Sequence, residues 1–353
     1  MIFRLESLGG QKVSARVQRV PDIHQDSLMP EPDLPWPSFP LTNSNETSLE
    51  VASEPHNAGV DIVFVNGWSA SGQPWTAISE DAAVCWPKSI LSNLLPQARI
   101  LLFEYEAKVE EFWAVKSKNG IDSYAVDLLD EVIDYRAKNK TSDHPVIFVA
   151  HSIGGIVCER AILRAQTGST SQKEFVKHVK RIAFIGTPFH TDNAKWTETG
   201  KNFFQLVGNT PLDEDLSKSE KLTEICEKFL EFLSSKKGIE VAIFYEGHET
   251  ELEGTTVILA DDEAVKIPGC PDPSRLKATH LGMAEVASSK DDHFKRLQKQ
   301  LSRWVDEAAE AKPDNAKGTQ YTSTFNGPNR GVQIGANLGT VSDFKFSDGS
   351  TES

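Results

Sequence analysis

Residues 145–158, PVIFVAHSIGGIVC, decide the fold of this chain. An apolar run rich in β-branched residues stops abruptly at Ser152 and is followed at once by Gly154 and Gly155. The pattern predicts a buried strand that turns sharply into a helix, with Ser152 in a strained backbone conformation and its hydroxyl exposed above the sheet. Ala150 stands where the usual G-x-S-x-G motif has glycine, and it adds only one methyl group. We interpret the segment as a nucleophile elbow.

Further apolar runs on both sides of this segment alternate with stretches of helical periodicity. Such runs are typical of parallel strands that are buried on both faces. Their alternation with helices predicts an α/β fold with a doubly wound, mostly parallel sheet. The insertion at residues 190–238 is either a cap over the pocket or an ordinary crossover helix with a long loop. The predicted strands are DIVFV (61–65), ARILLF (98–103), PVIFVA (145–150), RIAFIG (181–186), VAIFY (241–245) and TTVILA (255–260).

Composition divides the chain into four predicted parts. Residues 1–55 contain a hairpin pattern followed by a proline-rich connection, and residues 56–305 carry the strand and helix pattern of one α/β domain. Residues 306–318 are rich in Ala, Glu, Asp and Lys, and they are predicted to run from a helix end into a linker. Residues 319–353 are rich in Gly, Asn, Ser and Thr, which predicts a disordered tail.

Charge and cysteine content exclude several functional classes. The net charge of −14 argues against nucleic acid as a partner, because phosphates require clustered Lys and Arg. The four cysteines are widely scattered, which favours reduced thiols over a metal site or a disulfide framework, and no cofactor is predicted. No segment has the apolar core of a signal peptide or the length of a membrane span, so we expect the protein in the cytoplasm.

A serine nucleophile needs a base at the same edge of the sheet, and three histidines satisfy that requirement. They are His190, His248 and His280. His280 follows the last predicted strand, and its position gives the chain order serine, acid, histidine that accompanies nucleophile elbows. His151 is expected to point away from its neighbour Ser152. His280 is therefore the predicted base.

The acid that orients the base is predicted at a strand end. Glu246 ends the run VAIFYE, whereas Asp261 and Asp262 follow the last predicted strand and remain alternatives. The oxyanion needs two N–H donors. Ile153 is predicted to supply one, and the loop at residues 66–69 the other, through Trp68 or Gly67.

Six segments of the chain occur in the order found in the fungal SesB-like α/β-hydrolases, which resemble the wider SERAC-type lipase-like family. The similarity covers about residues 50–305. In that family the residues corresponding to Ser152, Glu246 and His280 would form the catalytic triad, which implies an α/β-hydrolase fold with esterase or lipase activity. The segments are VNGW, ARILLFEY, FVAHSIGG, FIGTPF, IFYE and THLGMAEVASSKDDHF.

The tail resembles the RHIM-like amyloid signalling motif that fungi attach to NOD-like receptors and to their cell-death effectors. Its core would be Val332-Gln333-Ile334-Gly335. Val332 and Ile334 can interdigitate between sheets, and Gln333 can form an amide ladder along a fibril. The resemblance implies polymerisation of the chain through its tail and a partner that carries the same motif.

Two hypotheses from different classes result. The first is a cytosolic serine esterase or lipase that acts on a small-molecule or lipid ester through an acyl-enzyme. Its tail would recruit or activate it in fungal programmed cell death or heterokaryon incompatibility. The second keeps the fold but makes the chain a signalling adaptor without catalysis, whose hydrolase fold binds a lipid or a partner. Membrane contact through residues 190–238, and recruitment to a membrane on activation, stay open.

Overall fold

The computed structural model describes residues 47–79, 82–113, 120–209, 219–236, 238–252 and 255–310. The strands are β1 (Ser48–Ser53), β2 (Val60–Val65), β3 (Thr76–Ile78), β4 (Ala83–Cys85), β5 (Ala98–Glu104), β6 (Val146–His151), β7 (Val179–Ile185), β8 (Glu240–Glu246), β9 (Thr250–Leu252), β10 (Thr255–Val257) and β11 (Ser274–Leu276). The helices are α1 (Ser92–Leu94), α2 (Val109–Trp113), α3 (Ile121–Lys138), α4 (Gly154–Thr167), α5 (Thr170–His178), α6 (Asn193–Leu206), α7 (Ser219–Ser235) and α8 (Asp292–Glu310).

Seven of these strands form the central sheet, in the order β1-β5-β2-β6-β7-β8-β11. β1 pairs antiparallel with β5, and the other neighbours pair in parallel. Every residue of β2 and β6 is buried, as expected of strands with helices on both faces. The predicted doubly wound, mostly parallel α/β-hydrolase sheet is confirmed.

Alternate residues of the strands pack into two separate cores. Val63 and Val65 of β2 belong to the core that helices α3, α4, α5, α6 and α7 cover. Ile62 and Phe64 face the opposite side, where Trp304 and other apolar residues of α8 cover them. Because side chains alternate along a strand, one apolar run fills both layers.

The prediction that residues 255–260 form the last parallel strand of the sheet is wrong. β10 covers only Thr255–Val257 and pairs antiparallel with β9, and the last strand of the sheet is β11. The backbone N–H groups of Leu259 and Ala260 instead donate to the side chain of Glu246. They are therefore not available to a neighbouring strand.

The structure also moves two predicted boundaries. β1 lies within residues 1–55, yet its Leu49 and Val51 pack against the core, so the sheet begins before residue 56. α8 runs to Glu310 through the first residues of the predicted linker, because Ala308 still packs into the core. The predicted N-terminal hairpin, the rest of the linker and the tail lie outside the described residues.

The insertion contains two helices with different roles. α7 connects β7 to β8 and packs along α4, as a crossover helix does. α6 precedes it and brings Phe203 to the ring of His280. In the described part of the chain, no helix is long and apolar enough to cross a bilayer, and no cluster of side chains could hold a metal ion. All four cysteines are free thiols.

Candidate active site

Ser152 occupies the turn between β6 and α4 with a φ of 55°. This is the left-handed region, which is costly for a side-chain-bearing residue and which the sequence predicted for the nucleophile of an elbow. The backbone on both sides is held, because Ser152 N–H donates to the Ile185 carbonyl at 2.8 Å and Thr187 Oγ1 donates to the Ser152 carbonyl at 2.9 Å. Ser152 is only 1% exposed, so the expected exposed hydroxyl is instead covered.

Glycines around the turn allow the loop at residues 66–69 to approach the elbow and the start of α4 closely. A Cβ on Gly67 would lie 2.7 Å from the Cβ of Ser152, and a Cβ on Gly154 would collide with the carbonyl of Asn66. The loop at residues 66–69 and the start of α4 therefore meet directly at the nucleophile. The small residues that identified the elbow in the sequence are required by these approaches.

His280 is the histidine that the structure brings to Ser152. Its Nε2 lies 2.8 Å from Ser152 Oγ, and its ring is fully buried. Phe203 of α6 meets the ring edge-on at 5.5 Å between centroids. His248 is exposed, and His190 bonds through Nε2 to Thr199 Oγ1 at 2.9 Å, where burial lowers the pKa of His190 to about 4.

Glu246 is the carboxylate beside His280. Its Oε1 lies 3.6 Å from His280 Nδ1 and accepts the backbone N–H groups of Leu259 and Ala260 at 2.5 and 2.6 Å. The distance to His280 is too long for a hydrogen bond and fits an ion pair that tightens when the imidazole is protonated. The alternatives Asp261 and Asp262 are exposed, and Asp261 caps the backbone N–H of Ala264 instead.

The predicted oxyanion donors lie on the two segments that meet at the elbow. Ile153 is the N-cap residue of α4, so its N–H belongs to the electropositive end of that helix. Asn66 Nδ2 donates to the carbonyls of Gly67 and Tyr105, and the hydroxyl of Tyr105 donates back to the Asn66 carbonyl. These bonds fix the loop that carries Trp68 beside Ser152.

A narrow cleft of about 10 Å³ adjoins this loop, and Trp68, His151 and Leu281 are among the residues that line it. A volume of this size holds about one water molecule. Ser152 and His280 are themselves almost fully buried, so the site is closed around these groups in this conformation, and Phe203 of α6 packs against His280.

Two side chains at the site had no role in the sequence analysis. His151 Nε2 lies 2.9 Å from the backbone carbonyl of His280, and the backbone N–H of His280 donates to Thr250 Oγ1 at 3.2 Å. Burial, with a smaller effect of His280, lowers the pKa of His151 to about 3. The position of His151 next to the nucleophile was a visible signal, whereas nothing in the sequence marked Thr250.

Parts of this chain are similar to known proteins. The family described as "Putative serine esterase (DUF676)" matches residues 61–191. Protein SERAC1 of Homo sapiens is 26% identical over 191 residues, which are 50% of this chain and 28% of that protein. Protein SERAC1 of Danio rerio is 25% identical over 266 residues, which are 70% of this chain and 39% of that protein. The chain thus spans well under half the length of these relatives.

Among solved structures, an alpha/beta hydrolase enzyme from a metagenome of lagoon sediments in Morocco aligns with 76% of this chain and 98% of its own, at 14% identity and a TM-score of 0.41. At this TM-score the fold assignment rests on the sheet order and the elbow themselves. The family match over residues 61–191, which include Ser152, agrees with the class of site described above. The matched segment resembles this family of putative serine esterases, whereas Glu246 and His280 lie outside it.

Proposed function

We propose that the protein cleaves carboxylic esters through an acyl-enzyme on Ser152. The observation that carries this proposal is the contact of 2.8 Å between Ser152 Oγ and His280 Nε2, made by a serine with a φ of 55°. A serine hydroxyl is a weak nucleophile, and a base within hydrogen-bond distance is what activates it. The family match to serine esterases supports the same reaction class.

The chemistry proceeds in two halves. Ser152 Oγ attacks the ester carbonyl carbon while its proton moves to His280 Nε2, and the N–H groups of Ile153 and of Trp68 or Gly67 stabilise the oxyanion. The imidazolium then gives this proton to the leaving alkoxide, the ester C–O bond breaks, and an alcohol departs. Water attacks the acyl-serine with His280 as base, which releases the acid. Glu246 pairs with the imidazolium in both halves.

The surroundings of the triad favour an apolar acyl group. Phe203 packs against His280, and the apolar residues Trp68, Pro74 and Leu281 line the adjoining cleft. Apolar side chains of this kind bind ester chains by burying their surface rather than by hydrogen bonds. The proposed substrates are therefore lipid or small apolar esters.

The tail supplies the proposed biological setting. Its resemblance to fungal amyloid motifs supports recruitment of this cytoplasmic enzyme to a NOD-like receptor or a cell-death effector by templated polymerisation. The full chain should then form seeded fibrils. Ile334→Pro should abolish them, whereas Ser347→Pro, outside the motif core, should not. Fibrils that persist in Ile334→Pro would refute the motif.

Labelling with a fluorophosphonate probe tests the catalytic proposal without knowledge of the substrate. Wild type and Ser171→Ala, an exposed serine on α5, should label equally, and Ser152→Ala should not label at all. A panel of aryl and acyl-glycerol esters of increasing chain length then defines the substrate. Labelling of Ser152→Ala would remove Ser152 from the mechanism.

A specific observation favours the adaptor as the second candidate. Ser152 is 1% exposed and His280 is fully buried, so the reactive groups are covered in this conformation. An adaptor would show no labelling of wild type, either alone or after addition of preformed tail fibrils. Labelling that appears only with fibrils would instead identify an enzyme that polymerisation opens.

A further inference from the structure

The main chain of His280 is held from both sides by buried side chains. On one side, its N–H donates to Thr250 Oγ1 at 3.2 Å. On the other, its carbonyl oxygen lies 2.9 Å from His151 Nε2. His151 is 2% exposed and Thr250 is also buried, so water does not compete for either bond.

The bond to the carbonyl determines the tautomer of His151. A carbonyl oxygen only accepts, so Nε2 of His151 must carry the hydrogen, and the neutral ring leaves Nδ1 unprotonated. The low pKa of His151, which burial causes, keeps this ring uncharged at neutral pH. A charged His151 would also repel a protonated His280, since the two ring centroids are 5.2 Å apart.

His151 immediately precedes Ser152 in the chain. Both residues contact His280, which lies on a loop that is distant in sequence. His151 contacts the backbone carbonyl of His280, and Ser152 contacts its imidazole. A hydrogen bond between nucleophile and base weakens when its length changes by more than a few tenths of an ångström. The contact of His151 with the backbone of His280 therefore helps to set the distance between Ser152 Oγ and His280 Nε2, across which the proton moves.

We propose that His151 is a positioning residue for His280. By donating to the carbonyl of His280 it holds the imidazole within reach of Ser152 Oγ, and by staying neutral it leaves the imidazolium that forms during the reaction without a competing charge. This inference rests on the proposed esterase function. The titratable groups that face His280 are Glu246 and His151, and Glu285 lines the cleft beside His151.

Three variants of the full chain separate this role from simple packing. His151→Phe keeps a ring of similar size but removes the donor, whereas His151→Gln restores an N–H near the position of Nε2. His293→Phe is the matched control, because His293 Nε2 also lies near a backbone carbonyl, that of Glu285 at 3.2 Å, but has no contact with the triad. If His151→Phe does not fold, His151→Met removes the donor with a more flexible side chain.

Steady-state kinetics on the best ester give the first result. His151→Phe should lower kcat about 100-fold with little change in KM, because misplacement of a catalytic group impairs the chemical step more than binding. His151→Gln should recover most of this loss, and His293→Phe should behave as wild type. Equal losses in His151→Phe and His151→Gln would overturn the proposal, since packing alone would then explain them.

NMR of the full chain with ¹⁵N-labelled histidines gives a result that does not depend on activity. His151 should show hydrogen on Nε2 and no titration above pH 4. His151→Phe should shift the Nε2 resonance of His280, which reports its hydrogen bond to Ser152, while His293→Phe leaves that resonance unchanged. Hydrogen on Nδ1 of His151, or an unshifted His280, overturns the proposal. If wild type shows the expected signals but neither labels nor cleaves esters, the positioning contact stands and the esterase function fails.

Discussion

Two buried carboxylates, Asp61 and Glu246, lie at opposite ends of the parallel strands and have partners of different kinds. Asp61, at the start of β2, pairs with the guanidinium groups of Arg99, at 2.7 Å, and of Arg136. Glu246, at the end of β8, contacts two backbone N–H donors and the ring of His280 among the described residues. Both carboxylates are buried, so burial alone does not distinguish structural from functional charge.

The difference lies in whether the partner's charge can change. Arginine stays protonated in proteins, so the charges of Arg99 and Arg136 around Asp61 do not change and can only stabilise the fold. In the proposed mechanism, the imidazole of His280 takes the proton of Ser152, and Glu246 lies 3.6 Å from its Nδ1, where it can pair with the resulting charge. Glu246 Oε2 and His280 Nδ1 have no hydrogen-bond partner among the described residues, but the same holds for Asp61 Oδ1, so an unpaired atom alone does not distinguish the two carboxylates.

The largest expected effect follows from Glu246→Gln. The amide keeps an oxygen for the N–H groups of Leu259 and Ala260 but cannot stabilise the imidazolium, so kcat/KM should fall about 10⁴-fold, as loss of an orienting acid does in other triads. The melting temperature should change little. Kinetics and calorimetry on the same preparation check this, and a loss below tenfold would assign the acid elsewhere.

Asp61→Asn should lower the stability of the fold and leave the reactivity of Ser152 unchanged. It removes the buried carboxylate that Arg99 and Arg136 share and leaves Arg99 only Glu54, at 3.5 Å, so we expect the free energy of unfolding to fall by about 3–5 kcal/mol. The folded fraction should still label with fluorophosphonate. Urea unfolding measures the loss.

Arg303→Met provides the control for Asp61→Asn. Arg303 pairs with Glu240 and Glu307, but its side chain is 46% exposed, so its loss should cost below about 1 kcal/mol. Equal losses in the two variants would contradict the distinction between buried and exposed pairs.

Much of the site could be predicted because parallel strands bring their carboxyl ends to one edge of a sheet. The end of the β6 run predicted Ser152, and the end of the β8 run favoured Glu246 over Asp261 and Asp262. Chain order selected His280. The run at residues 255–260 was misassigned, because an apolar β-branched run does not reveal whether its N–H groups pair with a strand or with a side chain. Alternation along β6 turned His151 away from Ser152, but it gave no sign that the backbone of His280 arrives on that side.

Glu159 is a third buried carboxylate, and no arginine or histidine pairs with it among the described residues. It lies on α4 at 1% exposure, its Oε1 has no hydrogen-bond partner among the described residues, and burial raises its pKa well above the usual value. The folded protein therefore holds a proton that the unfolded chain releases at a pH of about 4.3. Stability is fully present below that pH and is lost as the pH rises toward the folded pKa.

Glu159→Gln keeps the size of the side chain and removes this titration. Relative to the variant, wild type should lose about 1.4 kcal/mol of unfolding free energy per pH unit above about pH 4.3, until the folded pKa is reached. Urea unfolding between pH 5 and 8 gives the slope. Glu227→Gln on the exposed face of α7 should follow the wild-type curve. A constant offset between wild type and Glu159→Gln would mean that Glu159 is ionised in the fold, and that burial without a partner does not protonate a carboxylate here.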